Sequence, residues 1–324
     1  LRALITGATG FAGSHLAEYL IAHTDLEVWG TDISSNDRNV AHIKDDLHFV
    51  QGDMSEPDVT AGILSQAQPD YIYHLAAQAF VPSSWSDPWD TIANNVRSQL
   101  NILQTLIRSE VSPRVLVIGS ADEYGMIRPD ELPITEASPL RPYSPYAVSK
   151  VAQDLLGYQY FASHGLPVVR VRPFNHIGPR QSPAFVTSDF AKQIAEIEQG
   201  DREPTLHVGN LEARRDFTDV GDIVRAYHLA LERGEPGEVY NLGAERAYSI
   251  QDVLDMLLWL SDAQIEVVQE ATRLRPSDVP VVVSDCSKFR DRTGWRPTVS
   301  LEDSLQHILD YWRQRVREDQ GGQR

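Results

Sequence analysis

Short apolar runs alternate along the chain with longer stretches in which apolar positions recur every three to four residues. Leu4-Ile5-Thr6, Val28-Trp29-Gly30-Thr31, Leu47 to Val50, Tyr71 to Leu75, Val115-Leu116-Val117-Ile118 and Val168-Val169-Arg170-Val171 are the short runs. Their length and apolar content predict strands buried inside a sheet. Between them, Leu16/Tyr19/Leu20, Val59/Ile63/Leu64 and the segments Thr91–Ile107 and Tyr146–His164 carry the helical period. Strand–helix alternation builds right-handed βαβ units into a parallel sheet, which gathers ligands at the carboxyl ends of its strands. The expected class is α/β, a doubly wound parallel sheet of the Rossmann type.

From Pro173 the pattern changes to shorter strands, more loops and the amphipathic segments Val186–Ile197, Val220–Leu231, Ile250–Leu260 and Leu301–Val316. This reads as a dinucleotide-binding domain over 1–172 and a smaller α/β substrate domain over 173–324. Segments around 211–243 are expected to return to the main sheet. Gln320–Arg324 reads as a polar, frayed tail.

Composition narrows the partners. With 324 residues, 42% hydrophobic and 23% charged, the chain has the make-up of a soluble globular protein. No apolar run approaches the roughly 18 residues that span a bilayer, so no membrane association is expected. A signal peptide is not expected either, because no basic region precedes an apolar stretch and cleavage site. Cys286 is the single cysteine, which rules out an intrachain disulfide and fits a cytoplasmic home. A net charge of −17 argues against general nucleic-acid binding. The histidines lack the spacing of metal ligands, and no metal is expected. A phosphorylated ligand would need local arginines and backbone amides to overcome the overall charge.

The candidate chemistry lies at the strand ends. In Gly7-Ala8-Thr9-Gly10-Phe11-Ala12-Gly13 a glycine-rich turn follows the first strand and opens a helix, the arrangement that cradles a pyrophosphate against a helix N-terminus. The spacing is G-x-x-G-x-x-G, and such a turn standing alone is more often merely tight. Asp32 ends the second strand, where a carboxylate accepts hydrogen bonds from an adenosine ribose. It would repel a ribose 2′-phosphate and so favours NADH over NADPH, although Ser34, Ser35 and Arg38 leave room for the phosphate. Asp53 suits the adenine amino group or a helix cap. The small residues Ala76 and Ala77 let a dinucleotide lie against the backbone. Ser120 stands just past the fifth strand. Tyr146 and Lys150, four apart, share one helix face, where an ammonium would lower the phenol pKa. That pair alone is also what an ordinary helix surface contains.

Taken together, these residues resemble the extended short-chain dehydrogenase/reductase family acting on nucleotide sugars. The resemblance spans essentially the whole chain. It rests on Gly7/Gly10/Gly13, His74-Leu75-Ala76-Ala77, Ser120 ahead of Tyr124-Gly125, Tyr146/Lys150, Arg172-Pro173-Phe174-Asn175 and Arg215-Asp216-Phe217 with Asp219-Val220. It implies Tyr146 as acid/base, Lys150 as its partner and ribose ligand, and Ser120 as the group polarising a sugar oxygen. It implies NAD(P)H contacts at Gly7, Thr9, Gly10, Phe11, Gly13, Asp32, Asp53, Met54, Leu75, Ala76, Ala77 and Pro173. It also implies a homodimer pairing Thr91–Ile107 and Tyr146–His164 of two copies.

Phe174-Asn175-His176-Ile177-Gly178-Pro179, Phe185-Val186-Thr187, Asn210-Leu211-Glu212-Ala213 and Leu274–Pro280 are similar to the branch acting on GDP-sugars. For the substrate this implies contacts from Ser120, Asn175, Val186, Lys192, Arg215, Arg275 and Asp278. Both 4,6-dehydratases and 4-keto-6-deoxy reductases belong to the branch. The dehydratases carry Asp or Ser, then Glu, where this chain has Ala121 and Asp122. Ala121 has no proton to give, and Asp122 is one methylene short. The implied reaction is therefore reduction of the C4 ketone of GDP-4-keto-6-deoxy-D-mannose to GDP-D-rhamnose. Elimination with Asp122 or Glu123 as base, and 4-epimerisation, stay open.

Overall fold

The computed structural model describes residues 1–270, 273 and 279–321. In chain order the elements are β1 Arg2–Thr6, α1 Phe11–His23, β2 Glu27–Asp32, β3 Leu47–Gln51, α2 Pro57–Ala67, β4 Tyr71–His74, α3 Val81–Ser86, α4 Pro88–Arg108, β5 Arg114–Ile118, α5 Pro145–His164 and β6 Val168–Pro173. They continue through β7 Asn175–Ile177, α6 Val186–Gln199, β8 Thr205–Val208, β9 Arg214–Asp219, α7 Val220–Arg233, β10 Val239–Leu242, β11 Ala247–Ser249, α8 Ile250–Trp259, β12 Glu266–Gln269, α9 Ser287–Thr293 and α10 Leu301–Gly321.

Seven parallel strands form the main sheet in the order β10-β6-β5-β4-β1-β2-β3. This is the doubly wound α/β architecture that the alternating pattern predicts. Alternation within each strand feeds two cores. Ala3 and Ile5 of β1 join Leu16, Leu20, Ile223 and Tyr227 beneath α1 and α7. Leu4 points the other way, into the core of Ile63, Ile102, Leu106 and Tyr160 beneath α2, α4 and α5. The chain winds from β1 through β2 to β3 on one side, then crosses to β4 on the other. The crevice between β1 and β4 is therefore the point where such sheets bind ligands.

A third core lies in the C-terminal half. Phe190, Ile194, Leu254, Leu257, Leu305, Leu309 and Trp312 gather from α6, α8 and α10. Of the stretch expected to return to the main sheet, residues 214–219 instead form β9, between β7 and β11 in a second sheet. The return consists of α7, packed over α1, and β10, which pairs with β6. Helix α10 runs to Gly321; of the tail expected at 320–324, residues 322–324 lie outside the described part. Among the described residues no helix is long and apolar enough to cross a membrane.

Candidate active site

Thr6 ends β1 and the chain turns at once. Gly7 has φ +71°, and a Cβ there would lie 3.0 Å from the backbone nitrogen of Ala76. Any side chain would be strained twice over, by conformation and by contact. At Gly13 a Cβ would stand 2.0 Å from the Gly7 carbonyl oxygen, so α1 can seat itself on the turn only because residue 13 has none. Gly10 is the N-cap of α1, and no side chain caps the first-turn amides. Those donors and the positive helix end suit an anion. The cradle would be filled by any side chain at these glycines, and it fits a dinucleotide pyrophosphate.

Asp32, at the end of β2, accepts from the Thr9 amide at 3.3 Å and the Ser34 amide at 3.2 Å. It thus steadies the glycine turn as well as lining the cleft. Asn39 holds the same turn, donating through Nδ2 to the Thr9 carbonyl at 2.8 Å. Asp53 accepts from the Ser55 amide at 2.8 Å, while Glu56 is the N-cap of α2. Of the two uses the sequence left open for Asp53, the helix cap is taken by another residue.

The catalytic candidates converge across the cleft. Ser144 caps α5 by accepting from the Ala147 amide at 3.1 Å, and Pro145 occupies the first helical position. This fixes the start of the helix one residue before Tyr146. Lys150 Nζ donates to the Ile118 carbonyl at 2.9 Å and lies 5.9 Å from the centre of the Tyr146 ring. The phenol is not lowered overall, because burial outweighs what opposes it. Burial pushes Tyr146 well above its ordinary value, Asp122 adds to the rise, and a hydrogen bond with Ser120 opposes it. Lys150 is itself lowered, to about 8, by burial. Tyr146 thus keeps its proton, with Ser120 acting against the rise.

A cleft of about 1340 Å³ joins the two halves of this arrangement, lined by Gly7, Gly10, Phe11 and Gly13 at one end and by Ser120, Tyr146 and Lys150 at the other. Residues 4–308 match the family described as GDP-mannose 4,6 dehydratase. The chain belongs to that family.

Among curated relatives, the GDP-6-deoxy-D-mannose reductase of Pseudomonas aeruginosa is 37% identical over 98% of this chain and 99% of its own. GDP-mannose 4,6 dehydratase 1 of Arabidopsis thaliana is 30% identical over 95% of this chain and 88% of its own. The solved structure of RMD from Pseudomonas aeruginosa complexed with NADPH superimposes with a TM-score of 0.86 at 35% identity, covering 97% of this chain and 99% of that one. A nicotinamide dinucleotide is the cofactor that this kinship and the cradle indicate together.

Within this GDP-mannose 4,6 dehydratase fold, the cleft takes in most of the residues singled out in the sequence. Asp32, Asp53, Met54, Leu75, Ala76, Ala77, Asp122, Pro173, Asn175 and Arg215 all line it. Three others do not. Thr9 is held through its backbone, its amide by Asp32 and its carbonyl by Asn39. Val186 opens α6 and packs against the C-terminal core. Lys192 pairs with Glu196 at 3.5 Å and lies 5.6 Å over the Trp312 ring. Neither Val186 nor Lys192, both expected to meet the substrate, is among the residues that line this cleft. Arg275 and Asp278 lie outside the described residues. Glu123, kept open as a base, is wholly buried and accepts the Ser120 amide, so it has no access to a substrate.

Several groups in or behind the cleft had no role in the sequence reading. Asn95 of α4 holds both backbone groups of Gln78, at 2.7 and 3.1 Å, and donates to Ser149 Oγ at 3.0 Å. Ser149 in turn donates to the Tyr146 carbonyl at 2.7 Å. Arg180, with φ +72°, grips both Glu18 oxygens at 2.7 and 2.6 Å and the Asn39 carbonyl at 2.9 Å. Phe80 and Phe185 meet edge to face at 6.1 Å, one from each half of the chain. Only Arg180 carried a local signal, the Gly178-Pro179 turn before it.

Proposed function

We propose that this chain reduces the C4 ketone of GDP-4-keto-6-deoxy-D-mannose to GDP-D-rhamnose with NAD(P)H. The observation that carries the reading is the wall beside Ser120. Ala121 and Asp122 line the cleft there, while the one neighbouring glutamate is buried under the Ser120 turn. Elimination across C5 and C6 needs a well-placed base and acid, and this wall offers a single short carboxylate. Ketone reduction needs only donors at one oxygen. When bound, the dinucleotide supplies the hydride to C4. Ser120 and Tyr146 donate hydrogen bonds to O4, and Tyr146 passes its proton to that oxygen as negative charge builds there. The buried ammonium of Lys150 stabilises the phenolate left behind.

Asp32 favours NADH. Its carboxylate lines the cleft and would repel a ribose 2′-phosphate, and Arg38, which could neutralise one, is engaged by Glu318 at 2.9 Å. Residues 1–172 are assigned to the dinucleotide and 173–324 to the nucleotide sugar, with Asn175 and Arg215 facing the shared cleft. A homodimer through α4 and α5 is supported by the outer face of α5, where Val148, Leu155 and Tyr158 are exposed at helical spacing. Cys286 is buried, and the assigned compartment is the cytoplasm.

Mass analysis tests the reaction. Incubated with GDP-4-keto-6-deoxymannose and NADH or NADPH, the protein should add two hydrogens. Incubated with GDP-mannose, it should leave the mass unchanged. Loss of water from GDP-mannose without reduction of the keto sugar would replace this reading with the dehydratase one. Tyr146→Phe should lower kcat by about a thousandfold, within the range of general acid catalysis, with dinucleotide binding retained.

A further inference from the structure

Beneath Ser120 lies a set of acidic and basic side chains that the chemistry above does not use. Glu123 Oε1 accepts the Ser120 backbone amide at 2.8 Å, while Ser120 Oγ accepts the Asp122 amide at 3.1 Å. The other Glu123 oxygen lies 3.0 Å from Arg172 Nε. Arg172, on β6, reaches Asp154 Oδ2 through Nε at 2.6 Å and Nη2 at 2.5 Å. Asp154 sits one turn beyond Lys150 on α5 and pairs also with Arg170. Arg172 Nη1 donates to the Tyr124 hydroxyl at 3.0 Å, which donates onward to Asn241 Oδ1 of β10 at 2.6 Å. Space for this arrangement exists because residue 119 is glycine: a Cβ there would stand 2.3 Å from Glu123 Oε1.

The geometry points to Glu123 as a positioning residue that, through Arg172 and Asp154, locks the Ser120 turn to the helix carrying Tyr146 and Lys150. This rests on the reading that Ser120 and Tyr146 act at one substrate oxygen. Three groups from three elements must meet there: a turn after β5, a helix and, beneath both, β6. Ser120 is the N-cap of a single 3-10 turn, Ala121–Glu123, that follows β5, and Glu123 closes its capping box. Glu123 Oε1 accepts the Ser120 amide, and Arg172, 3.0 Å from the other Glu123 oxygen, is bonded to Asp154 of the helix. Burial and Asp154 raise the Glu123 carboxyl well above its ordinary range, with Arg172 opposing. An amide at 123 keeps the reach and the acceptor oxygen that meets the Ser120 amide, whereas aspartate keeps the acid and loses the reach.

Two variants separate positioning from simple charge balance. Glu123→Asp should lower kcat by about a hundredfold, the scale of a ~1 Å misplacement, with KM and dinucleotide affinity within about threefold of the parent. Glu123→Gln should stay within about fivefold in kcat. A Glu123→Asp enzyme with parental kcat overturns the proposal. So does a Glu123→Gln enzyme slower than the aspartate variant, or a parallel fall of kcat, dinucleotide affinity and melting temperature. A second measurement needs neither turnover nor a folded variant. In the unaltered chain the Ser120 amide should exchange with deuterium at least roughly tenfold more slowly than that of Ala121, and equal rates would sink the idea. A chain that fails to reduce the keto sugar overturns the function proposed above, and the exchange rates still decide this one.

Discussion

Lys150 Nζ donates to the Ile118 carbonyl across 2.9 Å, tying the lysine of the Tyr-x-x-x-Lys pair to the end of the strand that delivers Ser120. Burial lowers this lysine to about 8, with Glu123 opposing. Its ammonium is therefore lost as pH rises through about 8. If that charge supports the phenolate left by proton transfer, kcat/KM should fall along a one-proton limb above about pH 8. Lys150→Met should remove the limb and leave a low, flat profile. Stability moves in the opposite sense. The unfolded chain keeps this lysine protonated up to 10.5, so from about 8 to 10.5 it binds more protons than the folded chain. Stability contributed at this site rises with pH through that window and is lowest below it. Denaturant midpoints of parent and Lys150→Met, compared across the same range, check the sign.

Asp32 both steadies the glycine turn and faces the cleft. Asp32→Ala removes the charge that opposes a 2′-phosphate, and the ratio of kcat/KM for NADPH over NADH should rise by about tenfold or more, roughly 1.4 kcal/mol. Initial rates with the two cofactors read it directly. Adding Glu318→Gln, which frees Arg38, should raise the ratio further; an unchanged ratio would remove both residues from cofactor choice.

Gly13 is packed where no Cβ fits. Gly13→Ala should cost about 1–3 kcal/mol of stability by overpacking. It should also weaken NADH binding, because the helix must move away from the turn that cradles the pyrophosphate. A melting curve together with a fluorescence titration of NADH tests both. Gly62 is a useful control, since nothing lies within 4 Å of a Cβ placed there. Gly62→Ala should be neutral or slightly stabilising in the middle of a helix.

The outer stripe of α5 gives the fourth prediction. Leu155 is 52% exposed between Val148 and Tyr158. If this face joins two copies, Leu155→Asp should convert a dimer to a monomer by light scattering at micromolar concentration, with little change in the monomer's circular dichroism. A parent chain that is already monomeric would dismiss the interface.

Much of the scaffold was legible because parallel strands buried on both faces advertise themselves as apolar runs, as Val115–Ile118 does. Element ends were less visible. The periodic pattern of α4 begins at Thr91, yet the helix starts at Pro88, where Asp87 accepts from the Asp90 amide at 3.0 Å. The cap lies outside the apolar period that marked the helix. The glycines and the Ser120, Tyr146 and Lys150 set were readable because their roles depend on spacing within one turn or one helix. Asn95 was not, because it acts on the backbone of Gln78, seventeen residues away; the Ser120-x-x-Glu123 capping pattern was local, but its tie to Arg172 and Asp154 was not. Lys192 marks the limit on the other side: a helical pattern fixes which residues share a face, not what that face meets, and Lys192 lies over Trp312 beside Glu196.

The placement of β10 has a consequence for how the protein is made. It is the outermost strand beside β6, yet almost seventy residues separate the two, and α7, which covers α1, arrives only shortly before it. During synthesis the edge of β6 stays unpaired, and one face of α1 stays bare, until the chain has been made as far as residue 242. A fragment ending at residue 172 would carry both defects permanently, and an unpaired apolar edge invites association with other chains.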